Sequence, residues 1–145
     1  MFDLNTIKVD PKLASEGKWC EFLGGEFLIA RWNNRKADAL RSQLQSEFYT
    51  EYLKAKTDEE KEKMEDKYTE IQCRVMSEAI LLGWKNVGAS GKEIEFSSKT
   101  AFDFLVDPAF TDLYQFIQRE SIDGENFLAK NVEAITKDVK PSADS

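Results

Sequence analysis

The segment Ile80-Leu81-Leu82-Gly83-Trp84-Lys85-Asn86-Val87, followed by Gly88-Ala89-Ser90-Gly91, decides how this chain is organised. A long amphipathic pattern stops here, because Gly83 can take the left-handed conformation that ends a helix and Asn86 can turn the chain again. The large ring of Trp84 follows directly, where it can cover the end of that helix. We therefore predict structural roles for Gly83 and Trp84.

The residues after this segment predict a reversal of the chain and a series of short helices. Gly91 marks the turn, a short extended piece carries Phe96, and Ser97-Ser98 caps the next helix. Gly91 and Phe96 are accordingly predicted to be structural. Asp107-Pro108 and Asp123 have the form of further helix starts, with Asp at the cap and Pro at the first helical position.

The N-terminal part predicts a β-hairpin. Residues 18–23 and 26–32 alternate around aromatic side chains, and Gly24-Gly25 between them is a two-residue hairpin signal. Upstream, residues 6–10 alternate as a short strand would, and Pro11 ends that pattern.

Two long amphipathic helices follow the hairpin. Asn33-Asn34 caps the first, over residues 35–55, and a capping box from Thr57 to Glu60 opens the second, over residues 58–82. Their short connector favours an antiparallel pair. The fold class predicted is mostly α (α+β), with an N-terminal β-hairpin, an antiparallel pair of long helices and then short C-terminal helices. We expect one domain over residues 1–138 and a flexible tail over residues 139–145.

The composition argues against several classes of function. A net charge of −7 disfavours nucleic-acid binding, and no long uncharged apolar run predicts a membrane segment. The chain has no His, and Cys20 and Cys73 stand apart from any metal-ligand spacing. We predict no catalytic residue, no cofactor and no metal site, and hence a protein that is not an enzyme.

The aromatic hairpin carries more large apolar residues than one buried face can hide, because successive side chains of a strand point to opposite sides. We predict a partner-binding surface there, extending to the first long helix; its residues are Trp19, Phe22, Phe27, Leu28, Trp32, Phe48 and Tyr49. The surface serves either self-association or another protein. Two alternatives remain: a C-terminal helix covers the second face, or binding occurs along the charged segment from Asp58 to Lys67.

Several short motifs occur in a definite order along the chain. The hairpin begins with Gly17-Lys18-Trp19, its return strand ends in Ile29-Ala30-Arg31-Trp32-Asn33, and the second long helix leads into Gly83-Trp84-Lys85-Asn86-Val87. The series continues with Gly91, Phe96, Ser97-Ser98, Ala101, Leu105, Asp107-Pro108 and Asn126-Phe127. Over residues 16–135, this order resembles the tail assembly chaperones of long-tailed (siphovirus-type) bacteriophages and prophages.

The resemblance implies a non-enzymatic role in virion morphogenesis. Such chaperones bind the tape measure protein, keep it soluble and help recruit tail tube (major tail) protein subunits. They act in the host cytoplasm and are lost from the mature virion. Two other functions stay open: a structural tail or neck protein retained in the virion, and a small bacterial adaptor domain unrelated to phage.

Overall fold

A computed structural model describes residues 1–132 of the chain. The predicted tail, and the last residues of the predicted domain, lie outside the described residues. Within them, the fold is mostly helical with a small antiparallel sheet, which confirms the predicted class.

The N-terminal residues form short helices in place of the predicted strand. A 3-10 turn spans Leu4–Ile7, and helix α1 spans Pro11–Glu16. Val9 alone pairs as an isolated bridge, with Leu128. The strand prediction was wrong because Pro11 starts a helix: its missing N–H costs nothing at a first helical position, and the Asp10 carboxylate accepts from the Leu13 N–H at 2.8 Å.

The predicted hairpin is present and belongs to a three-stranded antiparallel sheet. Strand β1 spans Lys18–Phe22, β2 spans Gly25–Ile29 and β3 spans Leu81–Lys85, in the order β1-β2-β3. Phe22 pairs with Gly25, so the turn residues are Leu23 and Gly24, with φ of 51° and 92°. The sequence placed the turn one residue too late, at Gly24-Gly25.

Strand β3 is the main correction to the sequence-based fold. The second long helix ends at Val75, a single π-helical turn spans Met76–Ile80, and the chain then enters the sheet. Gly83 lies inside β3, opposite Leu28, and does not end a helix. Strand pairing with β2 satisfies the backbone there, while Leu81 and Trp84 are buried.

The two long helices are antiparallel as predicted. Helix α2 spans Arg35–Tyr52 and α3 spans Asp58–Val75. The Asn34 side chain caps α2 by accepting from the Ala37 N–H at 3.0 Å. Thr57 caps α3 by accepting from the Glu60 N–H at 3.1 Å, while the Glu60 carboxylate accepts from the Lys56 N–H at 2.8 Å. The capping box is therefore formed, reaching one residue further back than expected.

After the sheet, the chain makes a small hairpin and two more helices. Strands β4 (Gly88–Ala89) and β5 (Lys92–Glu93) turn at Ser90 and Gly91, both with positive φ. Helix α4 spans Ser98–Leu105 and is capped by Ser97, not by Ser98. Helix α5 spans Thr111–Ile122, preceded by a 3-10 turn at Pro108–Phe110 and followed by another at Gly124–Phe127.

The core lies where the inner face of the sheet meets the π-helical turn, α4 and α5. Its least exposed large side chains are Ile29, Met76, Ile80, Leu81, Ile117 and Val75. Asn34 ties the start of α2 to this core, because its amide donates to the carbonyls of Arg31 and Ala79 at 2.7 and 2.9 Å. The core thus fixes the position of the sheet relative to the start of α2.

Candidate partner-binding surface

The outer face of the sheet is the first candidate surface. In the register of the sheet Trp19 lies opposite Leu28, and Leu28 lies opposite Gly83 on β3. Trp19 is 40% exposed, and the Lys85 ammonium sits 4.2 Å from the centre of its ring. This outer sheet face (Trp19, Leu28, Gly83 and Lys85) is a small open apolar patch, and its charged edge pairs Lys85 with Glu26, which lies opposite Glu21.

The inner face of the same hairpin is part of the core. Phe27 is only 4% exposed and meets Phe116 of α5 edge-on, with ring centres 5.8 Å apart. Phe22 stacks on Phe116 at 4.4 Å. Phe22 is partly buried and Phe27 fully buried, so of the predicted hairpin residues Trp19 and Leu28 remain on the open side.

Trp32 leaves the hairpin and is held by the first long helix. The guanidinium of Arg41 lies 4.7 Å from the centre of its ring and also donates to the Trp32 carbonyl at 3.0 Å. The ring is half-buried against the core. Trp32 therefore anchors the start of α2 and offers only part of its surface to a partner.

The residues predicted to be structural cluster around the Trp84 ring. Trp84 is 9% exposed, and its indole N–H donates to the Ile94 carbonyl at 2.8 Å. Phe96 meets the Trp84 ring edge-on at 5.0 Å. Gly91 supplies the positive φ of the β4–β5 turn that brings Ile94 and Phe96 back to Trp84. This arrangement positions β3, and with it the outer sheet face.

An aromatic cluster on the helical pair forms the second candidate surface. Phe48 lies 5.8 Å from Tyr52 and 5.7 Å from Tyr68, and Tyr49 lies 6.4 Å from Tyr52, measured between ring centres. Tyr49, Tyr52 and Tyr68 are 62%, 48% and 46% exposed. The sequence analysis included Phe48 and Tyr49 in the predicted partner-binding surface, but it did not include Tyr52 or Tyr68.

A groove continues from this aromatic cluster toward α5. One wall is α3, with Tyr68, Thr69, Gln72 and Cys73; the other wall is formed by residues 105–108 with Thr111 and Tyr114. The groove encloses about 380 Å³. Since Tyr68 belongs both to the cluster and to the groove, the two form one continuous surface.

Burial raises the pKa values of three titratable groups near these surfaces. Burial, reinforced by the Glu120 carboxylate, raises the pKa of the Cys20 thiol to about 11. Burial likewise raises the pKa of the Cys73 thiol, which donates to the Leu105 carbonyl at 3.5 Å. Burial also raises the pKa of Tyr114 in the groove wall. Both thiols stay protonated at neutral pH, so they behave as small apolar groups.

Residues 1–132 contain no group of three or more His, Cys, Asp or Glu side chains placed to hold a metal ion. No helix within that range is long and apolar enough to cross a membrane.

Comparison with known proteins gives one family. Residues 31–138 match the family described as the YdaY prophage protein. Neither the curated proteins nor the solved structures contain a significant match to the chain. The matched region begins at the end of the N-terminal hairpin and includes both long helices, β3 and the groove. Because it covers well over half of the sequence, the chain belongs to the YdaY prophage protein family.

Proposed function

We propose that this prophage protein is a tail assembly chaperone that binds the tape measure protein. It keeps that protein soluble and helps recruit tail tube subunits. The observation that carries the proposal is the exposure of large apolar side chains on a strongly acidic domain, with Trp19 40% and Tyr49 62% exposed. Clusters of this kind mark interaction sites more often than inert surface.

The physical chemistry of the task fits these surfaces. A tape measure protein is a very long helical chain whose apolar stripes aggregate when they are left uncovered. An amphipathic helix is recognised by laying its apolar face on an apolar surface. The net charge of −7 then opposes association of the loaded complexes with one another.

The phage setting of the proposal is supported by the family. Membership of a prophage family favours a role in a phage particle or its assembly over an adaptor domain unrelated to phage. Within that setting, the chaperone acts in the host cytoplasm and leaves before the virion is complete.

The test is co-expression with the tape measure protein of the same prophage. We expect the tape measure protein to be soluble and to co-purify with the wild-type chain, and to be insoluble without it. Leu28→Glu, on the outer sheet face, should keep the helical circular dichroism spectrum and lose the complex. Its matched control is the same change one residue away, Phe27→Glu, which buries a charge in the core and should unfold the domain.

Other outcomes would contradict the proposal. A tape measure protein that stays insoluble beside the folded wild-type chain would remove the chaperone function. Detection of the chain in purified virions by mass spectrometry would instead support a structural tail or neck protein.

A further inference from the structure

We propose that the groove between α3 and α5 takes apolar side chains from an amphipathic helix whose flanking residues are Lys or Arg. This inference rests on the proposed function and deepens it, because it names the chemistry of the segment that is bound.

The size and position of the groove favour a helix as the occupant. Its volume of about 380 Å³ is at the lower end of the range for binding pockets, enough for a few side chains and too small for a whole segment. A helix presents such anchors one turn apart and leaves its remaining apolar stripe exposed. That stripe would lie on the aromatic cluster, which joins the groove through Tyr68.

The charges around the groove select basic flanking residues. Among the residues that line it, all of which are described, Asp107 carries the one formal charge. Helical spacing places Glu65 and Glu62 on the same side of α3 as Thr69, one and two turns earlier, with Lys61 as a single opposing cation. An acidic rim around an apolar floor attracts Lys and Arg and repels Glu and Asp.

The same charges disfavour a second copy of this chain as the occupant. Each copy carries a net charge of −7, so two acidic rims would have to approach each other. The exposed apolar residues Phe2, Leu4 and Ile7 at the N-terminal end are the segment of a second copy best suited to compete.

The probes are three synthetic peptides of about 20 residues, long enough to form a helix on binding. The first has Leu at helical spacing with Lys beside the apolar stripe; the second replaces each Lys by Glu. The third contains the residues of the first in an order that has no stripe. Binding to the full chain is measured by fluorescence anisotropy. We expect the Lys peptide to bind at least about tenfold more tightly than either of the others, a difference of about 1.4 kcal/mol.

A matched pair of variants locates the binding. Thr69 and Thr50 are both exposed helical threonines, and each hydroxyl donates to a carbonyl four residues earlier at 3.2 Å. Thr69→Arg places a long cation in the groove and should weaken binding of the Lys peptide at least about tenfold. Thr50→Arg adds the same charge elsewhere on the helical pair and should leave binding nearly unchanged. Thr111→Arg, on the opposite wall, replaces Thr69→Arg if circular dichroism shows that the latter is unfolded.

The contribution of charge to peptide binding is tested by Glu65→Lys, which should reduce the preference for the Lys peptide over the Glu peptide. Equal binding of all three peptides, or equal binding to the Thr69→Arg and Thr50→Arg variants, would overturn the proposal. So would a dimer of the wild-type chain, measured by light scattering, that Thr69→Arg dissociates, because the occupant would then be a second copy.

Co-expression separates this inference from the proposed function. One outcome is that the Thr69→Arg variant still solubilises the tape measure protein while Leu28→Glu does not. That result would support the chaperone function and contradict binding of the helix in the groove. If the Lys peptide binds in the groove but the tape measure protein stays insoluble with the wild-type chain, the result supports helix binding in the groove and contradicts the chaperone function.

Discussion

The two ends of the helical pair differ in what they do with their apolar residues. At the base, formed by the sheet, the π-helical turn, α4 and α5, Ile29, Ile80 and Ile117 are completely buried. At the tip, residues 45–70, every residue is described and none is buried. Both regions carry apolar stripes of helical spacing, yet only the base has a second layer to cover them.

The buried residues that stabilise this small domain therefore lie at the base, whereas the tip offers exposed rings to a partner. The base holds the non-local contacts, including β2 paired with β3 and Asn34 bonded to Ala79, and therefore sets the global free energy of unfolding. The tip consists of two helices that cover each other on one side and leave Tyr49 and Tyr52 exposed on another. Substitutions of the buried residues at the base should lower the stability of the fold, whereas substitutions of the exposed rings at the tip should weaken binding.

The largest effect is expected for Trp84→Ala at the base. The ring is 9% exposed, donates to the Ile94 carbonyl and packs against Phe96 and Phe27. Its removal leaves a cavity and an unpaired carbonyl, so we expect a loss of ~3–5 kcal/mol in the free energy of unfolding. Urea denaturation followed by circular dichroism measures it; an unchanged midpoint would show that Trp84 does not support the base.

A pair of glycine substitutions tests the corrected position of β3. A Cβ at Gly88 would lie 2.3 Å from the Lys92 carbonyl oxygen, so Gly88→Ala forces β4 and β5 apart and should cost roughly 1–3 kcal/mol. A Cβ at Gly83 would meet its nearest atoms, on Leu28 and Trp19, at 3.9 Å.

Gly83→Ala should therefore be neutral or slightly stabilising, because alanine loses less backbone freedom on folding. A helix-ending Gly83 in the left-handed conformation would instead make Gly83→Ala lower the melting temperature.

The sequence predicted the elements whose signals are local. The caps at Asn34 and Thr57 and the Asp-Pro helix start depend on neighbouring residues, and each is where the pattern placed it. Strand β3 was missed because Ala79 and Leu82 continue the helical spacing of α3. The pairing partner that makes residues 81–85 a strand lies more than fifty residues earlier in the chain.

The candidate surfaces were predicted only in part, because they too depend on contacts between distant parts of the chain. Alternation along the hairpin requires two faces, but only the position of α5 decides that Phe27 points inward and Leu28 outward. The groove joins residues near position 70 with residues near position 110, and no local pattern reports that contact. Tyr52 and Tyr68 have the helical spacing of an apolar face. That spacing shows which residues share a face of the helix, but it does not show whether another layer covers the face.

A smaller effect is expected from the titration of Cys20 in the base. The pKa of its thiol is raised from 9.0 to about 11, first by burial and then by Glu120. The folded chain therefore holds this proton more tightly than the unfolded chain. The resulting stability is complete below about pH 9 and is lost as the pH rises toward about 11. Denaturation at several pH values should show a steeper fall for the wild type than for Cys20→Ala, and parallel curves would contradict it.

A smaller loss of stability than at Trp84 is expected at the tip, for the double variant Tyr49→Ser and Tyr52→Ser. Tyr49 is 62% exposed and Tyr52 is 48% exposed, and the ring contacts of the two residues are with each other and with Phe48. Removing them gives up only part of the buried area of each ring, so the free energy of unfolding should fall by roughly 1–2 kcal/mol, less than for Trp84→Ala.

The same variant should reduce co-purification of the tape measure protein, since it removes half of the aromatic cluster. Hydrogen exchange gives an independent measure: amides of residues 45–70 should exchange by local opening, faster than those of β2 and the π-helical turn. A tip whose amides are protected as strongly as the base, together with a large loss of stability in the double variant, would show that the tip belongs to the folding unit. The tip would then contribute to stability as the base does, and recognition would have to lie elsewhere.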